Sequence, residues 1–424
     1  MLVYVWLFAA AFCGTARTDA ASGSAATAHE PQFDNREMWP AWVAKAEFSK
    51  ERWDISRVLV WKETDGAKSR GLDPLDPANW LDNGRAATEP PDNTTDVVFP
   101  GSRDRYFVAG RQPFNVRHLT IEHGAQVRFQ EADIYGNVWI KRGGSYFRAK
   151  GIFGGPMKDT FVRSDNEDVQ FVPNMLVHNK PAGKSTEWLG KWKVGDEVNL
   201  YSGRLIVGPD SLFMPTDRRV NRIGHEAELV LMSGSAFHLR GNNYTDTDIR
   251  IQGRLLAGTP ERPLTEDCIV GLSFKTRGGA DLGKADATDV GLFLCPDGEM
   301  AVHSAEPEKA RLVFKWHRRP PETKKFKDGE PEAIAALPHG ISMFLAGGTA
   351  FDGVVFEDVL KGGIGMVDPR AHSQWKNVLF GKNFGGPDAL FVKREMTPKE
   401  SRKCGSEARG RWNPAQSYEQ QDER

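Results

Sequence analysis

Three short runs collect side chains that could work on a polar polymer. In Phe237-His238-Leu239-Arg240, strand alternation would turn the apolar pair inward and leave His238 and Arg240 on one outer face. Arg250 and Arg254 follow on the next stretch, and together these residues would form a basic patch for carboxylate or sulfate groups. In Asp368-Pro369-Arg370-Ala371-His372, an acid, a guanidinium and an imidazole stand close, beside Asp352, Glu357 and Asp358. Asp368, His372 and His238 are the candidate acid and base groups, and Arg240, Arg250, Arg254 and Arg370 the candidate substrate clamps. The ordinary alternatives are an Asp-Pro turn and a solvated arginine face. The third run, Arg117-His118 with Glu122-His123, would put His118 and Glu122 on one face around Thr120. Trp139 alternates outward from Val138 and Ile140, and Trp375 sits in a similar run; a bare Trp implies contact with a sugar ring or a covering loop. Neither CxxC nor HExxH occurs, so no zinc spacing is present and no metal site is expected. No cofactor is expected either; calcium is possible but has no motif here.

The elements that must position these residues read as short strands. Leu119 and Ile121 alternate with Thr120 and Glu122; Ile249, Ile251, Gly253 and Leu255 alternate with Arg250, Gln252 and Arg254. A longer pattern recurs. Leu119-x-Ile121-x-x-Gly124-x-x-Val127-x-Phe129 is echoed as Val138-x-Ile140-x-x-Gly143-x-x-Tyr146, and again as Leu229-x-Leu231-x-x-Gly234-x-x-Phe237-x-Leu239. Ile249-x-Ile251 follows the last copy, with Gly253 one residue early. Val354-Val355-Phe356 is echoed by Val378-Leu379-Phe380. Strand, glycine turn and strand returning at a fixed interval predict the stacked units of an all-β, right-handed parallel β-helix. An antiparallel sandwich or pair of jelly rolls would share the strands and turns but not echoes with glycine at one offset. Leu119, Ile121, Val138, Ile140, Leu229, Leu231, Ile249 and Ile251 are expected in the core.

The predicted organisation is a signal peptide over 1–25, an N-terminal cap and lead-in over 26–95, the β-helix over 96–397, and a disordered polar tail over 398–424. A short capping helix is read from Trp42, Ala46, Ser49 and Trp53, and an irregular insertion from the broken spacing at about 156–215. The apolar run Leu2 to Cys13 is too short to span a bilayer and is followed by small residues, which predicts export to the exterior or periplasm. Three cysteines lie beyond it, permitting at most one bridge; Cys268–Cys295 is the better candidate, three unpaired thiols the alternative.

The 424 residues carry 56 Lys+Arg against 57 Asp+Glu, a net charge of -1, which argues against a nucleic-acid partner. The composition also excludes a disulfide scaffold, a coiled coil and a membrane span.

Two segments add a resemblance. Trp192-Lys193-Val194-Gly195-Asp196-Glu197-Val198-Asn199-Leu200 and Gly253-Arg254-Leu255-Leu256-Ala257-Gly258-Thr259-Pro260-Glu261-Arg262-Pro263-Leu264 resemble extracellular proteins of the G8-domain type and their companion β-helices. The stretch from Trp80 to Pro100 also looks like the opening of a secreted solenoid. The order of the two motifs is reversed relative to that family, and no catalytic residue carries over. The resemblance implies an exterior location and glycan partners, including hyaluronan-type polymers. The expectation is a secreted carbohydrate-active protein, a lyase or glycoside hydrolase acting on an extended and in one variant anionic polysaccharide. The alternative is a non-catalytic glycan-binding or adhesion module. One cleft is expected, basic toward residues 238–254 and acidic toward 352–372.

Overall fold

The computed structural model describes residues 57–147, 150–153, 159–172, 176–195, 198–216, 221–240, 247–273, 290–316, 341–357, 364–380 and 391–396, with 398, 401 and 404. They belong to one compact unit, residues 35–424. The signal peptide and the capping helix predicted from Trp42 to Trp53 lie outside the described residues. Among the described residues no helix is long and apolar enough to cross a membrane.

The structure is all-β, and its pairing is parallel almost throughout. Three ladders of strands can be followed. The first runs through Arg57–Trp61, Thr95–Phe99, His118–Ile121, Val138–Ile140, Thr160–Ser164 and Ser185–Leu189, and ends with Arg254–Ala257, Glu299–Val302 and Gly348–Ala350. The second contains Phe114–Val116, Glu131–Ile134, Lys150–Phe153 and Leu176–Asn179, and later Thr247–Ile251, Val290–Leu294, Ile341–Leu345, Ile364–Met366 and Phe391–Lys393. Two long strands, Val198–Val207 and Asn221–Leu231, pair in both and join them into one sheet. The third comprises the three strands from Tyr106–Gly110 to Ser145–Phe147, then the eight from Gln170–Val172 to Lys376–Phe380. Successive strands visit the first, third and second ladders in that order. Parallel neighbours need such crossovers, because a hairpin can join only antiparallel strands.

The echo read from the sequence is the register of the sheets. Leu119 pairs with Val138, Ile121 with Ile140 and Val127 with Tyr146. Val354 and Phe356 pair with Val378 and Phe380. The eight residues expected in the core are all buried, none more than 2% exposed. Core-facing rings stack along the third ladder: Phe213 on Phe237, then Phe314 on Phe356 and Phe356 on Phe380 at 5.3 and 5.9 Å. Each fully buried ring of this kind is worth ~1.5–3 kcal/mol of transfer free energy.

Four expectations are corrected. Ile249 and Ile251 are not the next copy of Leu229 and Leu231; they pair with Asn221 and Ile223, while Leu229 pairs with Leu255. The long strand Asn221–Leu231 serves two ladders, so two different partners follow it. The irregular insertion at 156–215 is instead ordered strand, from Thr160–Ser164 through Leu212–Thr216, in parallel register. Its alternation was hidden because polar side chains take core-facing positions: Thr160 and Thr186 are buried and their hydroxyls meet at 3.1 Å. The bridge is Cys295–Cys404, and Cys268 is a buried free thiol. Cys404 therefore does not belong to a disordered tail; it is buried, and its carbonyl accepts a hydrogen bond from Gln252 at 3.0 Å. The described part of the lead-in opens with antiparallel strands. Arg57–Trp61 pairs with Trp80–Asp82, and Trp61 meets Trp80 edge-on at 5.0 Å.

Candidate functional site

The sequence-derived basic patch does not assemble. Arg240 pairs with Thr216 and Ser273 in the third ladder, Arg250 with Arg222 and Phe293 in the second, and Arg254 with Glu228 and Glu299 in the first. Two changes of ladder intervene between Arg240 and Arg254, so alternation along one strand cannot carry over. His238 lies opposite the core-facing Phe237 and Leu239 as expected, yet it is 1% exposed and cannot meet a polymer. Asp368 is exposed and precedes the short 3-10 helix Pro369–Gln374, which holds Arg370 and His372. The Ala371 amide donates to the Asp368 carbonyl at 3.1 Å, which is the turn that Asp-Pro favours. The side chains of Arg240, Arg370 and His372 fall outside the described set. Asp352 accepts from Asn377 at 2.7 Å and Glu357 pairs with Lys315 at 3.0 Å, both in the third ladder. Glu122 is engaged by Lys141, and His118 accepts from the Asn137 amide through Nδ1 at 2.7 Å. Trp375 is core, 4.7 Å from Phe351, with its N–H given to Thr349.

Polar chemistry gathers instead on the face of the first ladder that points away from the core. Thr120, Trp139, Arg163 and Leu189 stand in one register row there. Trp139 is half-buried and is held by Asp165, in the loop that follows Thr160–Ser164. Its N–H donates to Asp165 Oδ2 at 2.8 Å, and Asp165 Oδ1 accepts from Arg163 Nε at 2.6 Å. Lys141 Nζ and Arg163 Cζ lie 5.1 and 5.4 Å from the ring centroid, within cation–π range. Lys141 is paired in turn with Glu122 at 2.5 Å. The ring is fixed at its rim by the bond to Asp165, with the two cations over it.

Further along the same face a charge row follows the strand register: Arg204, Glu228, Arg254 and Glu299 are successive neighbours. Glu228 is held from both sides, by Arg204 at 2.6 Å and by Arg254. Beside it Arg262 reaches Glu187 at 3.1 Å. Between these charges lies a row of Ile206, Val230, Leu256 and Ala301, which form a second buried apolar cluster with Met232. From Trp139 to Glu228 the path crosses Thr160–Ser164, Ser185–Leu189 and Val198–Val207, four strand spacings, and shifts four residues along the strand, ~23 Å in all. Local pattern could reveal Trp139, which the alternation marks as outward. It could not reveal the Arg–Glu–Arg row, whose members become neighbours only through the register.

One interior cluster is also polar. His178 and Lys180 are both fully buried at the end of Leu176–Asn179. His178 Nε2 lies 3.2 Å from Thr186 Oγ1, which meets Thr160 Oγ1; the Lys180 carbonyl accepts from Ser202 Oγ at 2.7 Å. Burial, reinforced by Lys180, brings His178 down to about 3. Burial lowers the Lys180 amine to about 7, with Asp159 opposing and Lys184 adding to the shift. Enclosed in the core, this cluster belongs to stability rather than to a substrate. The interior void lined by Val198, Leu205, Phe213, Asn221 and Phe237 holds about 10 Å³, room for no more than one water. Among the described residues no group of three or more His, Cys, Asp or Glu could hold a metal ion.

Comparison with family models, curated proteins and solved structures returns no match. The site must speak through its own chemistry.

Proposed function

We propose that the chain is an exported, non-catalytic glycan-binding module, with its three ladders wound as a right-handed parallel β-helix. The constant order in which strands visit the ladders supports the winding. The G8-type resemblance and the apolar N-terminal run support the exterior location. The observation that carries the binding function is Trp139, a half-buried ring on the polar face with cations over it and a carboxylate on its N–H. A pyranose presents axial C–H groups that pack on such a ring, while its hydroxyls reach donors and acceptors at the rim. Binding surfaces of this kind favour fixed aromatic anchors ringed by polar groups. Lyase or hydrolase activity has less support, because His238 is enclosed and the three arginines belong to different ladders.

The test is a polysaccharide array read both for binding and for new reducing or unsaturated ends. Binding without turnover is expected, and Trp139→Ala should weaken it about tenfold or more, ~1.4 kcal/mol. Release of new chain ends would return the reading to an enzyme, and binding unchanged by Trp139→Ala would move the site elsewhere.

A further inference from the structure

Lys141, Arg163, Arg204 and Arg254 on this face are each held by a carboxylate. Lys141 and Arg163, which flank Trp139, are bound to Glu122 and Asp165 at 2.5 and 2.6 Å. Arg204 and Arg254 share Glu228, whose side chain is only 13% exposed. A polyanion gains affinity by replacing mobile counterions around basic side chains. Here the counterions are the protein's own carboxylates, fixed by the fold. A uronate or sulfate that took Arg204 and Arg254 would leave Glu228 charged, largely buried and facing another anion, an arrangement that costs more than it returns. Beside Trp139 the carboxylate of Asp165 is doubly held, by Arg163 and by the indole N–H, so it cannot swing aside without losing both.

A hydroxyl is suited to this surface in a way that an anion is not. It donates to a carboxylate oxygen and accepts from a guanidinium or ammonium at once, so it can join an ion pair without breaking it. Lys141–Glu122 and Arg163–Asp165 are partly exposed, and exposed ion pairs are individually worth only ~0–1 kcal/mol, which makes their small rearrangement around a hydroxyl inexpensive. The ~23 Å between Trp139 and Glu228 exceeds one sugar ring and calls for a ligand extended obliquely across the ladder.

We infer that this face selects an uncharged, hydroxyl-rich polysaccharide over a polyanionic one. The inference rests on the glycan-binding reading above and narrows it to a substrate class. The same full-length chain is titrated with a soluble neutral β-glucan, a neutral mannan, a polyuronate and a sulfated glycan, at 50 and 500 mM NaCl. The expected result is binding to a neutral polymer, with a dissociation constant that changes less than about twofold with salt. Trp139→Ala should weaken that binding tenfold or more, and Arg254→Gln, at a side chain that is 48% exposed, severalfold. The Arg254 variant keeps the test open should loss of Trp139 disturb folding. Preference for the polyuronate or sulfated polymer, weakening steeply with salt, would overturn the inference while leaving the glycan-binding reading standing. Binding to none of the four would bring down both.

Discussion

At the residue scale the most consequential side chains are those whose ionisation the fold has changed. His178 and Lys180 are basic groups whose folded values are depressed, so the unfolded chain holds the proton that the folded chain rejects. Stability must therefore rise with pH across each window between folded and unfolded values. For His178 that window runs from about 3 to the ordinary 6.5, and for Lys180 from about 7 to the ordinary 10.5. Each window contributes a slope of up to ~1.4 kcal/mol per pH unit. Urea unfolding between pH 7 and 9.5 should show that rise, and Lys180→Met, which keeps the buried stem and removes the charge, should flatten it. An identical slope in the variant would mean that Lys180 is not the titrating group. Trp139 shows the same rule at the surface: its meaning comes from what surrounds it, Lys141, Arg163 and Asp165, and not from its type alone.

At the scale of elements, glycine does two separate jobs. Gly124, Gly143 and Gly234 sit between first- and third-ladder strands with φ of +82°, +81° and +70°, the left-handed region that side chains avoid. A second set turns the corner from the second ladder to the first. A Cβ on Gly253 would lie 2.1 Å from the Gly224 carbonyl, one on Gly298 2.2 Å from that of Ile251, and one on Gly347 2.2 Å from that of Gly298. This explains why Gly253 comes one residue early: it belongs to the corner series and not to the turn series. Gly124→Ala combines left-handed strain with a Cβ 2.6 Å from the Ser102 carbonyl, whereas Gly71, at φ +91°, has open space around it. Gly71→Ala should cost ~1 kcal/mol and Gly124→Ala ~2–3 kcal/mol or more, measured by chemical denaturation. Equal losses would show that the close approach at Gly124 relaxes freely.

For the whole molecule, the long-range tie is Cys295–Cys404, spanning 109 residues. It fixes Cys404 against the face of the second ladder that points away from the core. Phe293, Phe344 and both bonded cysteines are buried together there, with Ala346 and Met396 packed against them, and Arg394 lies over the Phe344 ring at 4.5 Å. A bridge closing so long a loop removes much conformational freedom from the unfolded chain. Replacing both Cys295 and Cys404 by Ser should lower stability by ~2–4 kcal/mol and let protease cut beyond residue 390 in otherwise native protein. Resistance equal to the parent chain would show that the apolar contacts hold this segment unaided. Cys268, free and buried with its thiol pushed up by burial, should stay inert to thiol reagents until the chain unfolds.

Read by itself, the sequence determined the all-β class, the parallel register of 119–129 on 138–146, the C-terminal pair 354–356 on 378–380, and a set of core residues. These are local facts: alternation and a repeated glycine offset follow from the two-residue period of a strand and the left-handed turn after it. Thr160, Thr186 and His178 defeated the same reading, because polar groups can face the core when they satisfy one another. Tertiary structure alone decided which charges meet. His238 alternates outward yet is covered, since burial depends on what packs above a face as well as on which way the strand turns it. Arg240, Arg250 and Arg254 are close in sequence but lie on three ladders. Arg204, Glu228 and Arg254 are far apart in sequence yet adjacent, because parallel pairing brings together strands that are distant along the chain. Which strands pair, and in what register, sets these distances, and no single stretch of chain encodes it.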